Sequence, residues 1–532
     1  MLLPQPVSAE RLPGRFTLTA DAVLHPVGEA ALPAARLLTG YLTTALGGPP
    51  ATSATDGTIR LRIDDLPHAA GNPEAYRVHI TERGIELTGR ASAGLLHAVQ
   101  ALRQLLPPEA LAPQWGPAQR NWQLPCVRII DAPRLSWRSL LLDVARHFVP
   151  VPGVLRLLDL MALHRLNVLQ LHLTDDQGWR LEIQKYPLLT QVGARRPAAP
   201  NDPDDPRCRA TGPAHEGWYT RADIRAIVEY AALRGITVVP EIELPGHVQA
   251  ALAAYPHLGN DLEGLDEPVQ VWNRWGINTR TLNAEQSTVD FFADVLDEVM
   301  EVFPSPYVHL GGDECPSAEW EASAAARARV RELGLGGAAE LQGWMMSRLA
   351  EHVTARGRRP VGWDEVVASP VPVPRDTVVT SWHGDRTAEA AAERGFDVVL
   401  APWEQTYFDL HQSPRGEPRG QKGVLTLADS YSFDPFAGRF GRDLAPRVLG
   451  AQCQLWTEYI PTQDHLDYMA FPRVAAFAER AWGSGADYAD FLNRLTTHLR
   501  RLAALDVGYR PPTPADLWPA RPVDTDTVQA SA

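Results

Sequence analysis

Residues Tyr307–Cys315 read YVHLGGDEC: a short apolar run, two glycines and then two adjacent carboxylates, Asp313 and Glu314. The run has the length and composition of a buried strand, and the polar residues begin where it stops. The same grammar recurs along the chain in SLLLDVA (139–145), NVLQLHLT (167–174), TVVPEIEL (237–244), RPVGWDEV (359–366), TVVTSWHG (377–384), DVVLAPWE (397–404) and AQCQLWTE (451–458). With YVHLGGDE that makes about eight strand candidates, the number a (β/α)8 TIM-type barrel requires.

Amphipathic segments between the strands support the α/β reading. VPGVLRLLDLMALHRL places Leu155, Leu158 and Met161 on one helical face, and TRADIRAIVEYAALRG opens with Thr220 as a cap and Asp223 three residues on. Upstream the texture differs. YRVHITERGIELTG (76–89) alternates as strands do, and ASAGLLHAVQALRQLL follows with helical spacing. This reads as a smaller N-terminal α+β domain over residues 1–130, joined through the proline-rich PPEALAPQWGPAQRNWQLP (107–125) to a catalytic barrel over 131–518, with a disordered tail at 519–532.

Composition narrows the function. A chain of 532 residues can bury a large core. A formal charge of -14 and a pI near 5.6 argue against nucleic acid, because phosphate binding needs clustered cations. No apolar run has the length of a membrane span, and the N-terminus lacks a signal-peptide pattern, so no membrane partner and a cytoplasmic location are expected. Cys126, Cys208, Cys315 and Cys453 lack metal or disulfide-framework spacing and read as reduced thiols.

The strand ends carry the chemistry: Asp143 and Arg146, His172 with Asp175 and Asp176, Glu243 and His247, Asp313 and Glu314, Trp363 and Asp364, Trp382, Trp403, Trp456 and Glu458. In a barrel these ends converge on one face. A pocket lined by carboxylates and tryptophans suits a sugar, whose ring faces stack on indoles and whose hydroxyls need charged acceptors and donors. Glycoside hydrolysis needs a carboxylic acid for the leaving oxygen and a group opposing the oxocarbenium-like centre. Neighbouring residues at a strand end point in different directions, so Asp313 and Glu314 cannot face each other across one bond. If Glu314 is the acid, Asp313 is free to hold a neighbouring group of the sugar that attacks, such as a 2-acetamido carbonyl.

DAPRLSWRSLLLDVARHF (131–148), NVLQLHLTDDQGWRLEIQKYPLLT (167–190), VVPEIELPGH (238–247), HLGGDEC (309–315), VGWDEV, QLWTE (454–458) and FPRVAAFAERAW (471–482) together resemble glycoside hydrolase family 20, the β-N-acetylhexosaminidases. The first domain is similar to that family's accessory domain. The resemblance implies retaining, substrate-assisted exo-hydrolysis of terminal N-acetyl-β-D-hexosamine residues through an oxazolinium-type intermediate, without cofactor or metal, on a small-molecule or oligosaccharide substrate. It casts Glu314 as acid and base, Asp313 as partner of the acetamido group and Tyr407 as donor to its carbonyl. Trp363, Trp382 and Trp456 wall that group, Arg146, Asp409 and Glu458 take ring hydroxyls, and Asp175 with His247 relays to Glu314. One departure stands out: EIELPGH carries Glu243 where the family often has Asp, which lengthens reach and keeps the charge.

Two other readings compete. A metal-dependent barrel hydrolase could draw on His172, Asp175, His247, Asp313 and Glu314, but no HxH or HExxH spacing is present and the tryptophans would go unexplained. An inactive carbohydrate-binding protein would not need Glu314, Asp313 and Tyr407 together. His172 and His309, inside strands, read as hydrogen-bonded structural residues, and Cys315 as a packed neighbour. The segments 193–217 and 408–450 are expected to shape the leaving-group side.

Overall fold

The structure is a computed structural model that describes residues 2–69, 71–112, 121–198, 213–262, 269–435, 440–441, 443–483 and 487–513. The expected disordered tail and much of the 193–217 loop lie outside the described residues.

Eight parallel strands close a barrel: β1 (Trp137–Asp143), β2 (Val168–His172), β3 (Thr237–Leu244), β4 (Tyr307–Gly311), β5 (Arg359–Trp363), β6 (Val378–Ser381), β7 (Asp397–Leu400) and β8 (Val448–Leu455), with β8 pairing back onto β1. Each corresponds to one of the eight sequence candidates. Of the polar ends read there, Asp143, His172, Glu243 and Trp363 lie within the strands, while Arg146, His247, Asp313, Glu314 and Trp382 lie in the loops beyond them.

The period-two alternation of strands separates two environments. Leu140, Leu142, Leu169, Leu171, Val238, Ile242, Val308 and Leu310 face outward into the core shared with the helices. Inside, Trp137, Val168, Val239, Val361, Val378 and Val399 plug the N-terminal end, with Tyr307 and Leu449 against them. Above that plug lies a buried polar belt that includes Ser139, Gln170, Glu241, His309, Thr380, Gln452 and Gln454. Above the belt, Leu141, Trp363 and Trp456 form an aromatic layer with Trp382 and Tyr407 packed on it.

Helices pack outside. Thr220 and Asp223 form the reciprocal cap of the helix Arg221–Ala232, as their spacing implied. In Val151–Leu163 the buried face runs through Val154, Leu157, Leu158 and Met161; Leu155, expected on the same face as Leu158 and Met161, is only partly buried.

The N-terminal unit is a seven-stranded mixed sheet backed by the helices Leu32–Leu46 and Ser92–Leu105. YRVHITERGIELTG forms its antiparallel hairpin, Tyr76–Thr81 with Gly84–Gly89, and Trp122–Asp131 pairs alongside. No helix among the described residues is long and apolar enough to cross a membrane.

Candidate active site

At the C-terminal ends of the barrel strands a cavity of about 460 Å³ opens, lined by Arg146, His247, Asp313, Glu314, Trp363, Trp382, Tyr407, Asp409, Trp456 and Glu458. Of the residues the family resemblance assigned to the site, all but Asp175 line this wall. Asp175 lies just behind, fully buried. Trp403 is a correction: it is 40 % exposed and stands outside the cavity, because the chain turns into a short helix immediately after Ala401–Pro402.

Asp313 and Glu314 are aimed by a left-handed turn. Gly311 and Gly312 have φ of 64° and 97°, and Glu314 itself has φ of 42°, a conformation that non-glycine residues adopt mainly where surrounding structure enforces it. His247, also at positive φ, reaches across with Nε2 3.5 Å from Glu314 Oε2 and 3.8 Å from Asp313 Oδ2. Its Nδ1 lies 3.3 Å from Asp176 Oδ2 and 3.4 Å from Asp175 Oδ1. Asp175 was expected to face His247 alone; both carboxylates of the Asp175–Asp176 pair do so, with Asp176 making the hydrogen bond. Burial disfavours charge on His247, but Asp175, Asp176 and Glu314 outweigh it and hold its pKa well above the ordinary value.

Asp175 is occupied mainly elsewhere. Its Oδ2 meets Arg146 Nη2 at 2.8 Å and His172 Nε2 at 3.0 Å. Arg146 also donates through Nε to Gln177 at 2.9 Å and through Nη1 to Asp143 at 3.2 Å, and its guanidinium lies 5.2 Å from the Trp456 ring centre. Asp143, read as a strand-end group, is turned inward: its oxygens accept from the backbone of Ala145, Arg146 and Thr457 and fix the β1 and β8 loops together. Asp364 is likewise structural, accepting from Ser381 and His383.

The aromatic wall is continuous. Ring centres are 6.0 Å apart for Trp363 and Trp456, 6.2 Å for Tyr407 and Trp456, and 6.5 Å for Trp382 and Tyr407. Trp363 is held by its indole N–H to Glu241 Oε1 at 2.9 Å and Trp382 by its own to Glu365 Oε2 at 3.2 Å. Glu241 and Glu365 were missed in the sequence; Glu241 sits mid-strand, where only its inward parity could have flagged it. Glu241 also accepts from Gln170 at 2.9 Å and pairs with His172 at 2.8 Å and His309 at 3.1 Å. Both histidines are thus hydrogen-bonded structural residues.

The far side of the cavity is acidic. Burial, with Glu458 nearby, pushes the Asp409 carboxyl up to about 8. Burial also raises Glu458, only partly offset by Arg146. Asp313 is raised by burial, pulled back by His247 and pushed further by Glu314. Side chains with metal-ligating atoms meet at His172–Glu241–Glu243, Asp175–Asp176–His247, His247–Asp313–Glu314 and Asp364–Glu365–His383. Despite burial, Glu241 and Asp175 raise the His172 pKa to about 10, and carboxylates likewise hold His247 well above its ordinary value, so a metal at either histidine would have to displace a proton.

A (β/α)8 barrel whose mouth carries two unequal carboxylates, a charged histidine behind them and a tryptophan wall defines a sugar-processing hydrolase. The comparisons agree. The profile of the glycosyl hydrolase family 20 catalytic domain matches residues 135–484, and that of the family's domain 2 matches residues 1–132, so the chain belongs to glycosyl hydrolase family 20. A β-hexosaminidase of Vibrio furnissii is 35 % identical over 91 % of this chain and 76 % of its own length. One of Porphyromonas gingivalis is 34 % identical over 96 % of this chain, which spans 64 % of that longer protein. The Vibrio harveyi exo-β-N-acetylglucosaminidase, solved with N-acetylglucosamine, superposes with a TM-score of 0.84 at 34 % identity, covering 96 % of this chain and 78 % of that one.

Proposed function

We propose that this β-N-acetylhexosaminidase removes terminal N-acetyl-β-D-hexosamine residues by letting the substrate's own acetamido oxygen attack the anomeric carbon. The observation that carries the reading is the wall of Trp363, Trp456, Tyr407 and Trp382 in the same cavity as Asp313. It gives an acetamido group apolar faces to rest on and one carboxylate for its N–H. Glu314, set on the other direction of the same turn, protonates the departing glycosidic oxygen and then deprotonates the water that opens the oxazolinium. His247 stabilises the Glu314 carboxylate left after the first proton transfer. Tyr407 donates to the acetamido oxygen as it attacks. Arg146, Asp409 and Glu458 bind ring hydroxyls and so require a chain end, which makes the attack exo.

An aligned internal nucleophile is worth an effective molarity of roughly 10^5–10^8 M, so no enzyme nucleophile is needed. The test is hydrolysis of matched aryl β-glycosides, one with a 2-acetamido group and one with a 2-hydroxyl, by wild type and Asp313→Asn. Strong preference for the acetamido sugar, collapsing in the variant, is expected. Equal rates on both sugars would overturn the reading and send the search to a nucleophile on another strand. Glu314→Gln should lose about 10^2–10^4-fold on poor leaving groups and far less on activated aryl leaving groups. Unchanged turnover of a chitobiose-type substrate would remove Glu314 from the acid role.

A further inference from the structure

Glu243 is 1 % exposed, and neither carboxyl oxygen has a hydrogen-bond donor among the described residues. The nearest cationic atom, His172 Nδ1, is 3.8 Å from Oε1 and is already engaged by Glu241 at 2.8 Å. The groups that bear on it are Glu241 and His247 from its own strand and loop, Asp313 from the β4 turn, and His172 and Asp175 from β2 and its loop. Three are carboxylates, and both histidines are committed to other carboxylates. A fourth negative charge here would be buried without a donor, an arrangement that costs several kcal/mol and that protonation removes. Burial first, then Asp313 and Glu241, drive the Glu243 pKa well above the usual carboxylate range.

The shape of the site gives this carboxyl group a task. Glu243 shares the inward parity of Val239 and Glu241 on β3, and the register of β3 against β4 is irregular between Glu241 and Leu244. A Cβ on Gly311 would overlap the Glu243 carboxyl group, which therefore occupies the space a side chain at 311 would take. From there it braces the left-handed Gly311–Gly312 turn that carries Asp313 and Glu314.

We propose that Glu243 is a positioning residue acting as an uncharged carboxylic acid: it wedges beneath Gly311 and fixes the turn that presents Asp313 to the acetamido group. This rests on the substrate-assisted reading above. The expectation that Glu243 simply keeps the charge of a shorter Asp is thereby revised.

The experiment compares Glu243→Gln and Glu243→Asp by kcat, KM and pH profile on the 2-acetamido aryl glycoside. Gln has the same reach and no charge; it should keep kcat within about threefold and leave both limbs of the profile in place. Asp withdraws the carboxyl group by one methylene; it should lower kcat about 10- to 100-fold, since misplacement by an ångström costs on that order. A limb shifted by a unit or more in the Gln variant, or a tenfold loss of its kcat, would mean that Glu243 acts through charge and would overturn the proposal. So would wild-type kcat in the Asp variant. If the Asp variant does not fold, Glu243→Met, neutral and of similar length, takes its place: kcat within tenfold of wild type supports the wedge, and a larger loss overturns it. Failure of the underlying mechanism would appear separately, as equal wild-type rates on the acetamido and hydroxyl sugars.

Discussion

At the scale of single residues, Asp409, one of the carboxyl groups proposed to bind the sugar, is held at a cost that pH can reveal. Asp409 is 5 % exposed, Oδ1 has no hydrogen-bond partner among the described residues, and its pKa is about 8 against roughly 3.9 in an unfolded chain. The folded protein therefore binds a proton there that the unfolded chain has released, and stability falls as pH rises from about 4 to about 8. Asp409→Asn removes this dependence. Its melting temperature should exceed that of wild type by about 1–3 °C at pH 7.5 and match it at pH 4. Because Asn presents an N–H where the carboxyl group offers an acceptor to a sugar hydroxyl, kcat/KM should fall about 10- to 100-fold. Thermal melts at the two pH values with parallel kinetics check both. A variant that is no more stable at pH 7.5 would show that the group is not strained in the empty pocket. The strand-end position of most of the proposed binding groups was legible in the sequence; the strain on Asp409 was not, because it comes from burial beside Glu458, in the loop after a different strand.

At the scale of elements, the barrel strands were readable because apolar runs and their polar ends are local facts. The belt inside them was not. Glu241 sits in TVVPEIEL, where an inward carboxylate looks like a solvent-facing one until the sheet closes. Once closed, β3 uses it to join β2 through Gln170 and His172, β4 through His309, and β5 through Trp363. Glu241→Gln leaves a protonated His172 without one of its two carboxylates and forces an amide N–H against donors. Stability should drop by about 3–5 kcal/mol, the usual cost of breaking one side of a buried pair. The readout specific to the site is the indole of Trp363: kcat on the acetamido substrate should fall while Glu243→Gln, two residues on, leaves it nearly intact. Equal behaviour of the two variants would mean that strand β3 matters only as scaffold.

At the scale of the molecule, the small domain and the barrel share buried charge. Glu74, beside the hairpin of the N-terminal sheet, accepts both terminal nitrogens of Arg138, a fully buried residue of β1, and His97 at 2.8 Å. Arg138 also donates to Leu135 O at 2.7 Å and Arg165 O at 2.9 Å, and lies 4.9 Å from the ring centre of Trp482. Burial works against the Glu74 carboxylate, but Arg138 and His97 overcome it and lower its pKa to about 2. The stabilisation is therefore complete above the unfolded value near 4.3 and is lost as pH falls toward 2. Glu74→Gln strands Arg138 in a dry interface, so the variant should unfold about 3–5 kcal/mol more easily at pH 7, and the two proteins should draw together as pH falls from about 4.3 toward about 2. Urea titrations across that range decide it. A gap that does not change with pH would mean that the contact is packing rather than charge. A variant whose two domains melt in separate steps would show that this one ion pair makes the sheet and the barrel a single cooperative unit.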